Sequence, residues 1–590
     1  LANVRSAIAL TIALVLLLAG SASAAAAEVT VVWLPPGTGV EKLARAGLSP
    51  GLMSAGLGSV PAEQTDLDVT QGNRVFDSLY EGDLPAVAVP INRPVSDRRV
   101  LERAESAPAE IEPGLLATTL ARAGEGFAVR SADLAQLRRL VERRRGDELL
   151  IAIERPPPAK NRALAIGIAG RGFDGNLSSD STRLDGYVLS TDVAPTILRR
   201  FGLGVPSQMS GQPIRSTGSV DPAAVVSLGD RMAVISERRG PVIGLSLLVW
   251  LVVLGLAIAV SRGAAARTGV RVAGLAVVLL PLLLLLAAAL EPGQTAEMLL
   301  VMLGAPLLGA LALALLEGYR ALAAAAGLTV LAYAADLIAG SPLTSLSLLG
   351  PNPGLGVRFY GIGNELEALL AVLVVAGTGA GLTGFAPRRS PRGCAAVFLA
   401  VGVTAALVFA AGRFGADVGA AIVFPVGAAV AAAAIAARRR RTALLVIALP
   451  FAILALLALV DLLSGANAHL TRSVLDAGGL GDLADVAQRR LQLSARSFTR
   501  PIVFVFLPLI AALAALAVVR RERLAEWLRG RPAMRAGLIG ALVATVVGTL
   551  ANDSGALLLE IGAAYLLVFT GFAWAEAGLR ARREPGDDLP

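Results

Sequence analysis

From residue 241 onward the chain is a succession of long apolar runs, and this feature restricts the fold more than any other. Runs long enough to span a bilayer lie near 241–260, 272–290, 298–316, 321–338, 364–384, 394–411, 416–436, 442–463, 501–519, 536–551 and 555–577. A spanning helix needs about 20 predominantly apolar residues. The expectation is an all-α polytopic membrane domain of about eleven helices over 241–580. Composition supports it, since 55% of the 590 residues are apolar and only 17% are charged, against about a quarter in soluble proteins. Residues 28–240 lack such runs and read as an ordinary globular segment.

Arginine placement orients the helices. Nearly all the positive charge behind the net +8 is arginine. With residues 28–240 outside the cytoplasm, alternate loops carry Arg262, Arg267 and Arg271, then Arg320, then Arg388, Arg389 and Arg392, then Arg438 to Arg441, then the cluster from Arg520 to Arg535. The tail at 581–590 follows Arg580 and begins with Arg582 and Arg583 close by. All fall inside under the positive-inside rule, which also accounts for the basic balance without nucleic acid. Residues 1–27 read as an export signal: Arg5, an apolar stretch from Ala7 to Ala19, and Ala22-Ser23-Ala24 before a cut near Ala24. An uncleaved first helix is the alternative. The expected location is a bacterial plasma membrane, with 28–240 extracytoplasmic and the C-terminus cytoplasmic.

This topology sorts the polar motifs onto the outer face. Arg358-Phe359-Tyr360-Gly361-Ile362-Gly363-Asn364-Glu365 enters a helix, Gly412-Arg413-Phe414-Gly415-Ala416-Asp417 is a tight turn, and Asn552-Asp553-Ser554-Gly555 is the last external turn, with Glu560 deeper. Intramembrane carboxylates cost roughly 2.5–3.5 kcal/mol on insertion scales and mark functional positions. Arginines outside run against the topology rule, and Arg358 and Arg413 are suited to pairing with carboxylates or forking onto a phosphate. The candidate binding set is therefore Arg358, Asn364, Glu365, Arg413, Asp417, Asn552, Asp553 and Glu560, with Glu367 beside it. Solvated turns and structural ion pairs are the competing reading. Asp336 and Asp461 read as solvated interfacial groups, His469 as a loop histidine, and 482–499 as a weakly amphipathic surface segment. Cys394 stands alone, which excludes an internal disulfide and a cysteine-rich metal site.

The globular segment alternates β-rich runs with helical patterns: Val29 to Leu34, Ala86 to Ile91, Glu148 to Glu154, Ala163 to Ala169 and Gly186 to Ser190. Such alternation predicts a mostly parallel α/β sheet. The phrase Ser190-Thr191-Asp192-Val193-Ala194-Pro195-Thr196-Ile197-Leu198-Arg199-Arg200-Phe201-Gly202-Leu203, followed by Pro206 and Met209-Ser210-Gly211, reads as a strand end, a short helix with Pro in its first turn and a Gly stop. It closely resembles the C-terminal helix signature of the alkaline phosphatase superfamily. Val29 to Leu34, Leu48 to Met53 and Gln71-Gly72-Asn73-Arg74 resemble that superfamily's opening, so the likeness covers about 28–215. It implies two divalent metals on Asp and His ligands and an Asp-Gly after the first strand. Here that place reads Leu34-Pro35-Pro36-Gly37, and the segment has no histidine. A metal-activated nucleophile needs such ligands, so the domain reads as a degenerate, non-catalytic relative with no metal or other cofactor. Ser54, Ser59, Thr65 and Thr70 are the possible nucleophile positions, and none sits in a convincing motif. The loop Ser178-Ser179-Asp180-Ser181-Thr182-Arg183 suits a phosphate or sugar, or is an ordinary polar loop.

Three functions follow as expectations. The first is transport or flipping of an anionic lipid or envelope precursor, capped by the degenerate domain. The second is an enzyme transferring a phosphoryl or glycosyl group on a lipid-linked substrate. The third is an envelope sensor or scaffold. The expected partners are the bilayer and an anionic lipid or lipid-linked glycan. No G-x-x-x-x-G-K loop occurs, which disfavours ATP-driven transport by this chain alone.

Overall fold

A computed structural model describes residues 29–56, 60–75, 79–156, 163–261, 263–436, 448–457, 459, 491–501 and 503–580. Residues 1–28 and 581–590, Ser59, Asp461, His469 and residues 482–490 of 482–499 lie outside the described residues. The chain divides into two compact units, Leu1–Asp230 with Gly354–Val357, and Arg231–Pro353 with Arg358–Pro590.

The first unit is built on a six-stranded mixed sheet in the order β3-β1-β4-β5-β2-β7. Its strands are β1 (Val29–Leu34), β2 (Ser49–Ser54), β3 (Ala128–Ser131), β4 (Leu149–Glu154), β5 (Leu164–Ala169) and β7 (Tyr187–Leu189), while β6 (Asn176–Ser178) pairs with β8 (Arg215–Thr217) in a small ribbon. Strand β1 is parallel to β3 and β4, and β2 is parallel to β7. Strand β5 runs against both β4 and β2. The physical reason is connection length: only residues 155–163 join β4 to β5, and a parallel crossover needs a dozen residues or more. Val29, Val31, Trp33, Ile151, Ile153, Ile166 and Ile168 form the core with Val193, Ile197 and Leu198.

The phrase at 187–202 folds as its residues suggest: β7, a 3-10 turn at Ser190–Asp192, the helix Val193–Arg200, and Gly202 in the left-handed region. The run Ala86 to Ile91 is not a strand. Pro85, Pro90 and Pro94 remove backbone donors at short intervals, so no ladder can propagate. Val89 and Ile91 are nevertheless buried, which is why the run is apolar.

The second unit is helical. Among the described residues eight helices are long and apolar enough to cross a membrane, or nine if the bent pair Val503–Val519 and Arg521–Trp527 is one span. The run at 416–436 forms the 17-residue helix Ala420–Ala436, and within 442–463 the described helix is Ala448–Leu457. Large apolar side chains face outward along several helices, Leu251, Leu307 and Phe504 among them. Such faces fit a multi-pass membrane protein, because hydrocarbon rather than water would cover them. Inside, Phe409 stacks on Phe424 with ring centroids 5.4 Å apart. The helices Asn364–Phe385, Ala420–Ala436 and Pro532–Ala551 meet backbone to backbone at Gly379, Gly427, Gly537 and Gly540, the small-residue packing that membrane helices favour. That close packing brings the polar ends of these three helices together.

Candidate functional site

The site in the second unit starts from the first turn of Asn364–Phe385. Glu365 and Glu367 are two positions apart, so a 3.6-residue helix points them in different directions. Glu365 turns to Arg239, 3.7 Å away, and stays partly exposed. Glu367 turns inward and is fully buried. Its Oε2 accepts a hydrogen bond of 2.7 Å from the Asn552 side-chain amide. One residue on, Asp553 Oδ1 accepts from the Asn364 amide at 3.0 Å. Consecutive residues of the last turn thus hold positions 364 and 367, which lie one above the other on the helix.

Asp417 completes the cluster from a third turn. Its Oδ1 accepts the Ala420 backbone N–H at 3.3 Å, capping Ala420–Ala436. Its Oδ2 faces Arg358 Nη1 at 3.4 Å, and Arg358 also donates to the Ile362 carbonyl. The two glycine-rich turns are joined directly, because the Ile362 N–H donates to the Gly415 carbonyl at 3.0 Å. Gly361 makes this possible: its φ is 78°, and a Cβ there would stand 2.1 Å from the Gly415 oxygen. Gly419 has a different role, since a Cβ there would come within 2.5 Å of Glu367 Oε1. That oxygen is buried and accepts no hydrogen bond from the described residues.

Of the sequence-predicted residues, Arg358, Asn364, Asp417, Asn552 and Asp553 are brought together around Glu367, with Glu365 on its own arginine at the edge. Arg413 is exposed, its guanidinium 5.6 Å from the Phe414 ring centre. Glu560 is half-buried, and no hydrogen bond or ion pair among the described residues ties it to the cluster. Asp336 departs from its expected place in solvent: it is buried, and accepts the N–H groups of Leu343 (3.1 Å) and Thr344 (2.7 Å) to start the helix Pro342–Leu346. Pattern reading also passed over Ser494 and Ser497. Ser494 donates to the Thr549 carbonyl at 2.8 Å and Ser497 accepts the Ala556 N–H at 3.0 Å, docking their segment beside the last turn.

A second acidic centre escaped the sequence altogether. Glu297 is fully buried and takes both Arg231 Nη atoms, at 2.9 and 3.2 Å, and Arg238 Nη1 at 3.0 Å. Its partners are some sixty residues away in the chain, so no local motif announces it. With both oxygens occupied, it is a structural centre.

In the first unit the polar side chains serve the fold. Asp192 is buried and accepts four hydrogen bonds: from Ser179 and Ser181 hydroxyls, each at 2.6 Å, from the Leu189 N–H at 2.9 Å and from the Gln212 N–H at 2.8 Å. Burial pushes its carboxyl up while these donors pull it down. The loop read as suiting a phosphate is thereby accounted for: two of its hydroxyls hold Asp192, and Asp180 pairs with Arg215 at 2.7 Å. Asp68 is held by Arg74 Nε (2.7 Å), Gln64 (2.9 Å) and Ser190 (3.1 Å). Ser54 is buried, and Gly356 of the same unit lies so close that a Cβ there would stand 3.0 Å from the Ser54 hydroxyl. Thr65 and Thr70 are fully buried, and Thr70 donates to the Leu67 carbonyl at 2.8 Å.

These residues do not fit the two-metal centre that the family resemblance implies. The two central carboxylates are already saturated, and among the described residues no three His, Cys, Asp or Glu side chains are grouped to hold an ion. No protein-family model matches the chain, nor does any curated protein or solved structure.

Proposed function

We propose that the chain is a multi-pass cell-envelope membrane protein that transports or flips an anionic lipid or lipid-linked precursor. Its head group would be engaged at the outer face by the cluster around Arg358, Asn364, Asp417, Asn552 and Asp553. One observation carries this reading: polar groups from three separate turns converge in the helical unit, from the exposed Asp553 down to the buried Glu367. An anchor has no use for such convergence, and charged groups within membrane domains mark pathways. Among the described residues Arg358 spends only Nη1 on Asp417 and Ile362, and its other guanidinium donors suit a phosphate. The carboxylates outnumber this arginine, so an anionic head group would enter together with a proton or cation. The first unit is read as a non-catalytic cap of degenerate alkaline phosphatase type, because its two central carboxylates, Asp68 and Asp192, are committed to hydrogen bonds within the fold. Arginine placement supports an extracytoplasmic cap and a cytoplasmic C-terminus.

The exposed rim of the cluster favours one alternative, phosphoryl or glycosyl transfer on a lipid-linked substrate. Thermal stabilisation of the detergent-purified chain by polyprenyl phosphates, phospholipids and envelope glycans tests the proposal. A ligand that stabilises wild type and loses its effect in Arg358→Gln, Asp417→Asn and Asp553→Asn is the expected result. Ligand turnover during incubation would favour the enzyme. No response to any ligand would remove both readings and leave a scaffold.

A further inference from the structure

The cluster contains one group for which the hydrogen-bond inventory does not close. Glu367 is fully buried, its Oε2 is occupied by the Asn552 amide, and its Oε1 has no partner among the described residues. The charged and titratable groups facing it come from every surrounding turn: Asp417 and Arg358, and Asp553 beyond Asn552. With Glu367 ionised, three carboxylates would share one guanidinium, and a buried anionic oxygen would lack a donor. Leaving a buried charge so poorly compensated costs several kcal/mol.

We propose that Glu367 is a reversible proton-binding site, taking a proton on Oε1 and releasing it as the transport cycle proceeds. The choice of atom follows from the partners. Oε2 must stay an acceptor for the Asn552 amide, so only Oε1 is open to a proton. Gly419, the residue beside Oε1, has no side chain to obstruct it. The choice of residue follows as well. Both Asp417 oxygens already accept, one from the Ala420 N–H and one from Arg358, and Glu365 is partly exposed and paired with Arg239. Two carboxylates in contrasting environments divide the roles: Asp417 stays the counter-ion of Arg358, and Glu367 exchanges the proton. The step is a simple transfer, in which the carboxylate takes a proton from water entering past Asp553, about one helical turn away, and returns it. Protonation removes one negative charge, which is the condition under which an anionic head group can approach Arg358. The inference rests on the transport reading only for what the proton drives; the site itself stands without it.

The test is covalent labelling of the full chain in phospholipid vesicles with dicyclohexylcarbodiimide, an apolar reagent that attacks protonated carboxyls, read by peptide mass. Glu367 should be the labelled carboxyl of the cluster. Its labelling should fall about tenfold per pH unit above its titration midpoint. Asp417→Asn should move that midpoint. The wild-type protein alone carries the result, so a folding defect in Glu367→Gln does not obscure it, and Glu367→Asp should keep a label at the same position. Absent or pH-independent labelling at Glu367 overturns the proposal. Suppression by sodium chloride relative to choline chloride also overturns it, by assigning the site to sodium. Labelling that titrates without any lipid response in the thermal assay supports the proton site while removing the transport reading, so the two fail separately.

Discussion

Asp192 and Glu367 are both fully enclosed acids, one in each unit, and they are treated in opposite ways. Asp192 has two hydroxyl and two backbone donors at 2.6–2.9 Å, filling both oxygens. Among the described residues Glu367 has one amide donor and one oxygen without a partner. Glu297, in the same unit as Glu367, is filled by two arginines, so the helical unit is able to satisfy a buried acid. The difference therefore belongs to the site and not to its surroundings. A saturated acid fixes a backbone, because each donor loses its partner if the acid moves. An unsaturated one is held in place for exchange.

The largest effect expected from this contrast is that of Asp192→Ala. The substitution strands the buried Ser179 hydroxyl, the half-buried Ser181 hydroxyl and two backbone N–H groups, each costing up to roughly 1–3 kcal/mol. With partial rearrangement the first unit should lose about 3–5 kcal/mol. Amide exchange on the full chain should show protection falling by about 100-fold or more over β6, β7 and β8. Unchanged exchange there would mean that Asp192 does not organise these strands, and the contrast would lose its structural half.

Asp66 provides an intermediate case. It is mostly buried with one partner, Arg155, whose Nη1 lies 3.0 Å from both carboxylate oxygens and whose guanidinium is 4.0 Å from the Trp33 ring centre. Burial raises its pKa from 3.8 to about 6, with Arg155 opposing. The folded state then holds this proton more tightly than the unfolded state. Stability from this group is complete below about pH 4 and declines as pH rises towards about 6, by at most about 3 kcal/mol. Melting of the full chain across that range should show the decline for the first unit, and Asp66→Asn should flatten it. A slope of the opposite sign would mean that the Arg155 pair outweighs burial.

How much of this was legible in the sequence depended on whether partners are neighbours in the chain. The apolar runs and the three glycine-containing turns are local patterns, and they led to Arg358, Asn364, Asp417, Asn552 and Asp553. Ser179, Ser181 and Asp192 were all in view, but as separate motifs, since nothing local says that the hydroxyls of one close on the acid of the other. Arg231 and Arg238 read as part of a soluble segment because Glu297, their counter-ion, stands in a helix start with no motif around it. Glu560 stands close to the last turn by position, yet no hydrogen bond or ion pair among the described residues ties it to the cluster. Position along a helix also separates Glu365 from Glu367, which sequence reading grouped together. The orphan oxygen of Glu367 was invisible by construction, because an unsatisfied acceptor is a property of the whole packed environment.

The smallest effect on stability is the one that most sharpens the contrast. Glu367→Gln keeps a carbonyl oxygen for the Asn552 amide and places an NH2 group where Oε1 has no donor. It also removes a charge from a cluster that holds more acids than bases. The cost should be within about 1 kcal/mol of zero, of either sign, because no satisfied partner is lost. Melting of the purified variant below the pH at which wild-type labelling begins to fall is the appropriate comparison, since there wild-type Glu367 is neutral, as glutamine is. If Glu367→Gln instead loosens the helical unit as far as Asp192→Ala loosens the sheet unit, the orphan oxygen is as structural as the saturated one. The two acids would then differ only in the number of their bonds, and the case for proton exchange at Glu367 would have to rest on labelling alone.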